Sequence, residues 1–394
     1  MKLAGNKEGM KQENRRQILY LISRRPISRA ELARETGLTQ SAVGNIMNEL
    51  LAENIVMEAG KQDDAAFGRK PIAITLNPSW GAVVCISIDH EGFEVGLTDL
   101  SGRISGQKIS LPCGDPEPDV LDEIAAAAET LIRQAQVSNV IGVGVIVPGP
   151  VDGEAGRILN PPGFPSWHNF SVREELERRL PYRVFVKHNA HALAKAEARF
   201  GAGIKYGSFA LLMINSGIGL GLMLNHQIYT GAGGLGCEIG HTSVDINGRP
   251  CVCGSRGCLE LYSSTSAVLY DAQRQRPDIT DWKDFVDKAW DGDSFCENLM
   301  DDQTRYLAHS IINLNNLLEL DAVVIAGLGA YRGELLMGKM KNYVEKCVLS
   351  KGTRNLCFEK SSLAENALIS AASTVVTDRL FEGDLYSIIT GHPQ

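Results

Sequence analysis

Residues 241–260 carry one histidine and three cysteines at a spacing that one metal ion could gather. His241 is followed by Cys251, Cys253 and Cys258, with turn-forming residues between them. Thiolate and imidazole are the donors a tetrahedral Zn²⁺ prefers, and three cysteines with one histidine form a common closed structural set. Gly254 and Gly257 allow the chain to fold back far enough for Cys253 and Cys258 to reach the same ion. A cluster of buried free thiols is the alternative. Four ligand-type residues this close together favour zinc, held by His241, Cys251, Cys253 and Cys258.

Two carboxylates frame these ligands. The segment Gly236-Cys-Glu238-Ile-Gly-His241 resembles the G-x-E-x-G-H motif of the ROK family of sugar kinases and transcriptional repressors, and Cys258-Leu-Glu260 resembles its C-L-E. The resemblance extends over most of residues 82–380. It implies that Glu238, His241 and Glu260 line a sugar pocket. The chemistry agrees, because carboxylates accept paired hydrogen bonds from sugar hydroxyls and a metal fixes the orientation of its imidazole. Solvated charge is the plainer reading of both glutamates.

The same resemblance bears on catalysis. Family kinases carry N-D-A at the end of a strand, and that aspartate takes the proton from the sugar hydroxyl. The matching segment is Lys187-His188-Asn189-Ala190, with Asn189 at the aspartate position. An amide orients a hydroxyl but cannot deprotonate it near neutrality. Asn189 also suits a helix N-cap. His188 and His191 are neighbouring bases, but successive side chains diverge at a helix start, so neither is expected at the Asn189 position. The family's first phosphate loop, D-x-G-G-T, corresponds to Asp89-His90-Glu91-Gly92-Phe93. Glu91 would repel a triphosphate there, and Phe93 would fill its space. Asn189 would also remove a charge that repels a phosphorylated ligand, with Lys187 and His188 as positive partners. Ala326-Gly-Leu-Gly-Ala330 resembles the adenosine-side loop. Gly217-Ile-Gly-Leu-Gly221 is weak evidence for a nucleotide, since it also suits a tight hairpin.

Composition limits the remaining possibilities. The chain has 394 residues, enough for two or three domains, with 44% hydrophobic and 22% charged residues, as in ordinary globular proteins. No apolar run approaches the roughly 18 residues that a membrane span needs, and the first residues lack the apolar core of a signal peptide. Nine cysteines, an odd number, do not suggest a disulfide framework, and a reducing cytoplasm fits best. The net charge is −8, yet residues 1–79 carry 12 Lys/Arg against 9 Asp/Glu. A mildly basic head on an acidic body is the asymmetry expected if only the head meets phosphate.

That head reads as a winged helix-turn-helix. Residues 13–24 place Ile18, Leu19, Leu21 and Ile22 on one helical face, and Pro26 stops the run. Ser28-Arg-Ala-Glu31 is a capping box opening a second helix. Gly37 supplies the turn, and Thr39 caps a third helix to about Glu53, with Val43, Ile46, Leu50 and Leu51 facing inward. Gln40, Ser41, Asn45 and Asn48 lie on its other faces, where short polar side chains suit major-groove base edges. Two short strands around a loop then form a wing. Its Gly68-Arg69-Lys70-Pro71 resembles the G-R-x-P wing of the family's repressor branch, and Arg69 could enter a narrow minor groove. Protein–protein contact is the alternative for such a head.

The expected organisation is a winged helix-turn-helix in residues 1–79, a linker around residues 77–81, and a sugar-binding body in residues 80–394. Strands alternating with helices indicate α/β architecture, and the resemblance implies the actin-like fold of two lobes around a cleft. The expected function is a sugar-responsive transcriptional regulator with a silenced kinase site. Its partners would be operator DNA, a sugar or sugar-phosphate effector, and further copies of itself in a dimer or tetramer. A sugar kinase with an accessory DNA-binding head is the rival. A purely structural zinc protein leaves residues 13–76 unexplained.

Overall fold

The computed structural model describes residues 7–61, 72–112, 114–116 and 118–381. Arg69 and the tip of the expected wing lie outside the described residues. In the head, helices α1 (Lys7–Arg24), α2 (Arg29–Thr36) and α3 (Gln40–Ala52) precede two antiparallel strands, Val56–Lys61 and Ile72–Leu76. Ile27–Ser28 pairs with the second strand and completes a three-stranded sheet. The Ser28–Glu31 capping box forms in full, Gly37 takes the left-handed conformation (φ 70°), and the Thr39 hydroxyl accepts the Ala42 N–H. Ile18, Leu32, Val43, Met47, Leu50 and Ile74 close the core between these elements.

Helix α1 starts six residues earlier than apolar periodicity predicts. Its first turns are held by charge rather than by burial: Lys11 lies 2.8 Å from Glu49, and Arg15 pairs with Glu49 and Glu53 on α3. Met47 is fully buried, while Leu51 is only partly covered.

The body contains two five-stranded sheets of the same topology. In the first, Ala82–Asp89 is central. It pairs antiparallel with Gly92–Thr98, which leads to Ile109–Leu111, and parallel with Val140–Val147, then Val184–His188. In the second, Phe209–Ile214 is central, with Ile218–Leu224 and Gln227–Tyr229 antiparallel on one side and Ala322–Ala326 and Cys357–Lys360 parallel on the other. No sequence repeat announces this duplication.

Helices Asn189–Phe200 and Ala367–Phe381 pack between the sheets, and glycines let them approach. A Cβ on Gly144 would stand 2.1 Å from the Ala372 carbonyl, and one on Gly221 would stand 2.3 Å from that of Ala190. Gly219 and Gly221 therefore serve helix packing within a strand, and Gly217 sits at the hairpin turn.

Head and body meet through a pinned connection. Trp80 Nε1 donates to the Glu53 carbonyl at 3.0 Å, the Asn77 side chain to that of Asn54 at 2.9 Å, and Arg24 to that of Ile204 at 2.6 Å. The apolar cores of the head and of the helix layer are continuous.

Candidate functional site

Three parallel strands of the first lobe end at one cleft. Asp89 closes the central strand, Gly149 follows the second, and His188 ends the third with Asn189 opening the next helix. Ligands of open α/β sheets bind beyond such carboxyl ends. From the second lobe, the turn after Phe209–Ile214 contributes Asn215 and Ser216 to the opposite wall.

Glu238, His241 and Glu260 complete the cleft. Their positions follow from alternation with the core. Ile239 and Leu259 are buried in the second lobe, which turns the adjacent Glu238 and Glu260 toward the opening. A single 3₁₀ turn, Ile239–His241, carries His241 to the metal-ligand loop. The Glu260 carboxylate accepts the Ile218 N–H at 3.3 Å.

The loop behind the cleft brings all four expected ligands together. The donor atoms of His241, Cys251, Cys253 and Cys258 lie within 4.8 Å of one another. Cys253 Sγ and Cys258 Sγ are 3.6 Å apart, and Cys251 Sγ is 3.7 Å from His241 Nδ1. Ligands on a tetrahedral Zn²⁺ at about 2.0–2.3 Å are separated by roughly 3.5–3.8 Å, so donor chemistry and spacing both fit that ion. Gly254 and Gly257 take φ of 92° and 66°, and a Cβ on Gly257 would stand 1.7 Å from the Asp245 carbonyl. With Nδ1 toward the cysteines, Nε2 of His241 is the ring atom left for a cleft ligand.

Electrostatically the cleft is acidic. Burial, then the charge of Glu260, pushes the Glu238 carboxyl up to about 7. Burial also pushes Asp89 up, against hydrogen bonds from the His90 backbone and the Asn189 side chain. Burial, then the neighbouring His191, drives His188 down to about 3, so its imidazole is neutral.

Several expected placements are corrected. His188 reaches the cleft, with Nε2 3.7 Å from Glu238, but as a neutral ring rather than the expected positive partner. As the last residue of its strand, it also caps the following helix through Nδ1, which accepts the Ala190 N–H at 3.1 Å. Asn189 is the first helical residue and faces the cleft. Lys187, one residue earlier, follows strand alternation to the opposite side, where it shares a separate pocket with His191 and Lys195. Phe93 is buried against Trp167 in the first lobe's core, with ring centroids 5.9 Å apart, and does not fill the phosphate space. Glu91 stands exposed at the turn. Motif reading missed the cleft role of Asn215. The end of the apolar run 209–214 was the available signal for Asn215.

On the head, Gln40, Ser41, Asn45 and Asn48 are all exposed along α3. That helix contains no basic residue. On α2, Arg29 and Arg34 are exposed and make no ion pair with the described residues.

Residues 83–379 match the ROK family, and residues 12–57 match the bacterial regulatory protein arsR family. The chain belongs to the ROK family, with its actin-like α/β sugar-kinase fold and a helix-turn-helix at the N-terminal end. The xylose repressor of Bacillus subtilis is 29% identical over 365 residues, covering 92% of this chain and 94% of that protein. The DNA-binding transcriptional dual regulator NagC of Escherichia coli is 28% identical over 385 residues, covering 94% of each. A glucokinase of Thermotoga maritima is 30% identical over 313 residues, covering 75% of this chain and 98% of that enzyme. Among solved structures, a ROK family transcriptional regulator homologous to the E. coli MLC protein superimposes with a TM-score of 0.81 at 23% identity, over 97% of this chain and 99% of that one. No helix among the described residues is long and apolar enough to cross a membrane.

Proposed function

We propose that this chain is a sugar-responsive transcriptional regulator that binds operator DNA through its head and a sugar in its cleft, without transferring phosphate. The observation that carries this reading is the pairing of a fully capped helix-turn-helix with a sugar-type cleft whose base position holds Asn189. The repressors it resembles extend over head and body alike, whereas the glucokinase matches only three quarters of the chain.

Gln40, Ser41, Asn45 and Asn48 would meet base edges in the major groove, and Arg69 would reach the minor groove. Asn189, Glu238, His241 and Glu260 would hold sugar hydroxyls. His241, Cys251, Cys253 and Cys258 would hold Zn²⁺, which would fix the His241 ring and the Glu238 and Glu260 backbones around it. Reduced thiols in that set suit a cytoplasmic protein. Two heads on a palindromic operator require at least a dimer. The sugar would act by binding one arrangement of the lobes more tightly, and the pinned Trp80 connection would carry that change to the head.

A residual kinase would need a proton acceptor at the Asn189 position, and His188, neutral and with its pKa near 3, is a poor one. An ATP-consumption assay across a sugar panel, paired with selection of bound duplexes from a random library, tests the proposal. Selective DNA binding without sugar-dependent ADP release is expected. ADP release at ordinary kinase turnover would overturn the assignment.

A further inference from the structure

We propose that a second ligand site lies behind the cleft, on the far side of the Val184–His188 strand, and that it takes a phosphate group, free or on a small metabolite, drawn by Lys187 and Lys195 and read by His191. The site is a cavity of about 310 Å³. Its first-lobe wall is built from Lys187 on that strand, His191 and Lys195 on the helix Asn189–Phe200, and Asp378 and Arg379 on the helix Ala367–Phe381. Ile228 and Thr230 of the second lobe close the other wall.

Charge selects the class of ligand. Three cations, Lys187, Lys195 and Arg379, line the cavity with two carboxylates, Glu154 and Asp378. Asp378 divides its charge between Lys195 and Arg199, and Arg199 stands outside the lining. Glu154 pairs with Arg379 at 2.8 Å, and its side chain is 81% exposed at the rim. The wall keeps a positive excess, which attracts an entering anion.

A buried acceptor without a partner makes the choice narrower. His191 is 5% exposed, and its Nε2 has no hydrogen-bond partner among the described residues. Burial drives its ring down to about 4, a hydrogen bond to the Gly236 backbone opposes this, and the charge of Lys187 adds to it. The ring is therefore neutral. With the Gly236 bond made by Nδ1–H, Nε2 presents a lone pair that needs a donor. Leaving such an atom unpaired and buried is destabilising.

Hydrogenphosphate meets both demands, since its charge suits the lysines and its P–OH can donate to Nε2. In a phosphate ester, the P–OH of the monoanion or a neighbouring hydroxyl does the same. Sulfate carries like charge and no donor. Ala192, Ile228 and Val375 leave an apolar wall for a short carbon body.

The position has a consequence for the cleft. The His191 ring packs on that of His188, with centroids 4.6 Å apart, and His188 lines the cleft. A bound anion would touch both lobes one imidazole away from the cleft. Lys195, Asp378 and Ile228 also border the groove under α1 of the head.

Calorimetry on the full-length protein, at neutral pH and constant ionic strength, with inorganic phosphate, glycerol 3-phosphate and sulfate tests this. At least one phosphate should bind about tenfold or more tighter than sulfate, and the tighter of the two tells free phosphate from an ester. Lys187→Met should weaken that binding about tenfold, and His191→Phe should erase most of the preference over sulfate. Absence of binding by both phosphates, sulfate binding as tightly as phosphate, or phosphate binding that survives Lys187→Met would overturn the proposal. So would a phosphate preference that persists in His191→Phe. The wild-type comparison of phosphate with sulfate decides the matter even where that variant fails to fold.

Discussion

The metal-ligand loop and the helix-turn-helix head are both short, yet different forces order them. In the loop, two residues of the set are buried, one is partly buried and one is exposed, and little apolar surface holds the turns together. Its geometry depends on four donors meeting at one point. In the head, capping and a closed apolar core set the geometry, and the residues offered to DNA lie outside that core. A loop of the first kind fails as a unit, whereas a head of the second kind tolerates surface changes one at a time. The loop also supplies His241 to the cleft and anchors Glu260, so its failure should reach the sugar.

The largest effect is therefore expected from Cys258→Ser. Metal analysis should show loss of one equivalent of zinc, and calorimetry should show loss of sugar binding together with partial unfolding. Protein that keeps stoichiometric zinc, or binds sugar normally without it, would break the contrast between the two regions. On the head, Asn45→Ala should weaken binding to a selected duplex by about 1–3 kcal/mol and relax preference at particular bases. The melting temperature should move little. An equal loss on all sequences would mean that Asn45 does not read bases.

A cap sits between these extremes. Ser28→Ala removes the acceptor for the Glu31 N–H and should cost about 1 kcal/mol of stability, with sugar affinity unchanged. Denaturant unfolding measures it. The half-buried Gly44 of α3 offers a smaller test with the opposite sign. An added Cβ meets nothing within 4 Å, so Gly44→Ala should stabilise the helix by up to about 1 kcal/mol. Weakened DNA binding in that more stable variant would place the duplex against α3.

The contrast also explains what the residues disclosed. The ligand set, the capping box and the Gly37 turn were legible because each is fixed within a few positions of the chain. The early start of α1 was not, since it depends on Glu49 and Glu53, more than thirty residues away. Strand alternation was readable, but which side of the Val184–His188 strand faces the cleft depends on its place beside Val140–Val147. That is why Lys187 was expected near the sugar together with His188, although only His188 lines the cleft. Phe93 was assigned to a phosphate space by motif alignment, whereas its partner Trp167 lies 74 residues on and invisible to the motif. The doubling of the two sheets is a property of topology and leaves no trace in residue identity.

The pH response of the cleft is a graded effect. Glu238 has a folded pKa of about 7 against 4.5 in the open chain, so the fold favours its protonated form. Stability from this group is greatest at low pH and is lost as pH rises from about 4.5 through 7. Sugar hydroxyls that donate to Glu238 favour the ionised form. Affinity should therefore rise between pH 6 and 8, by at most about tenfold per unit, and Glu238→Gln should flatten that slope. A falling affinity over this range would reverse the assigned hydrogen-bond direction.

Coupling between cleft and head is the centre of the proposed function, and one titration addresses it. Fluorescence anisotropy of a labelled duplex, selected by the full-length protein, is followed with and without a saturating sugar identified by calorimetry. Operator affinity should shift at least tenfold when the sugar is bound. Identical affinity in its presence and absence would contradict a sugar-responsive regulator.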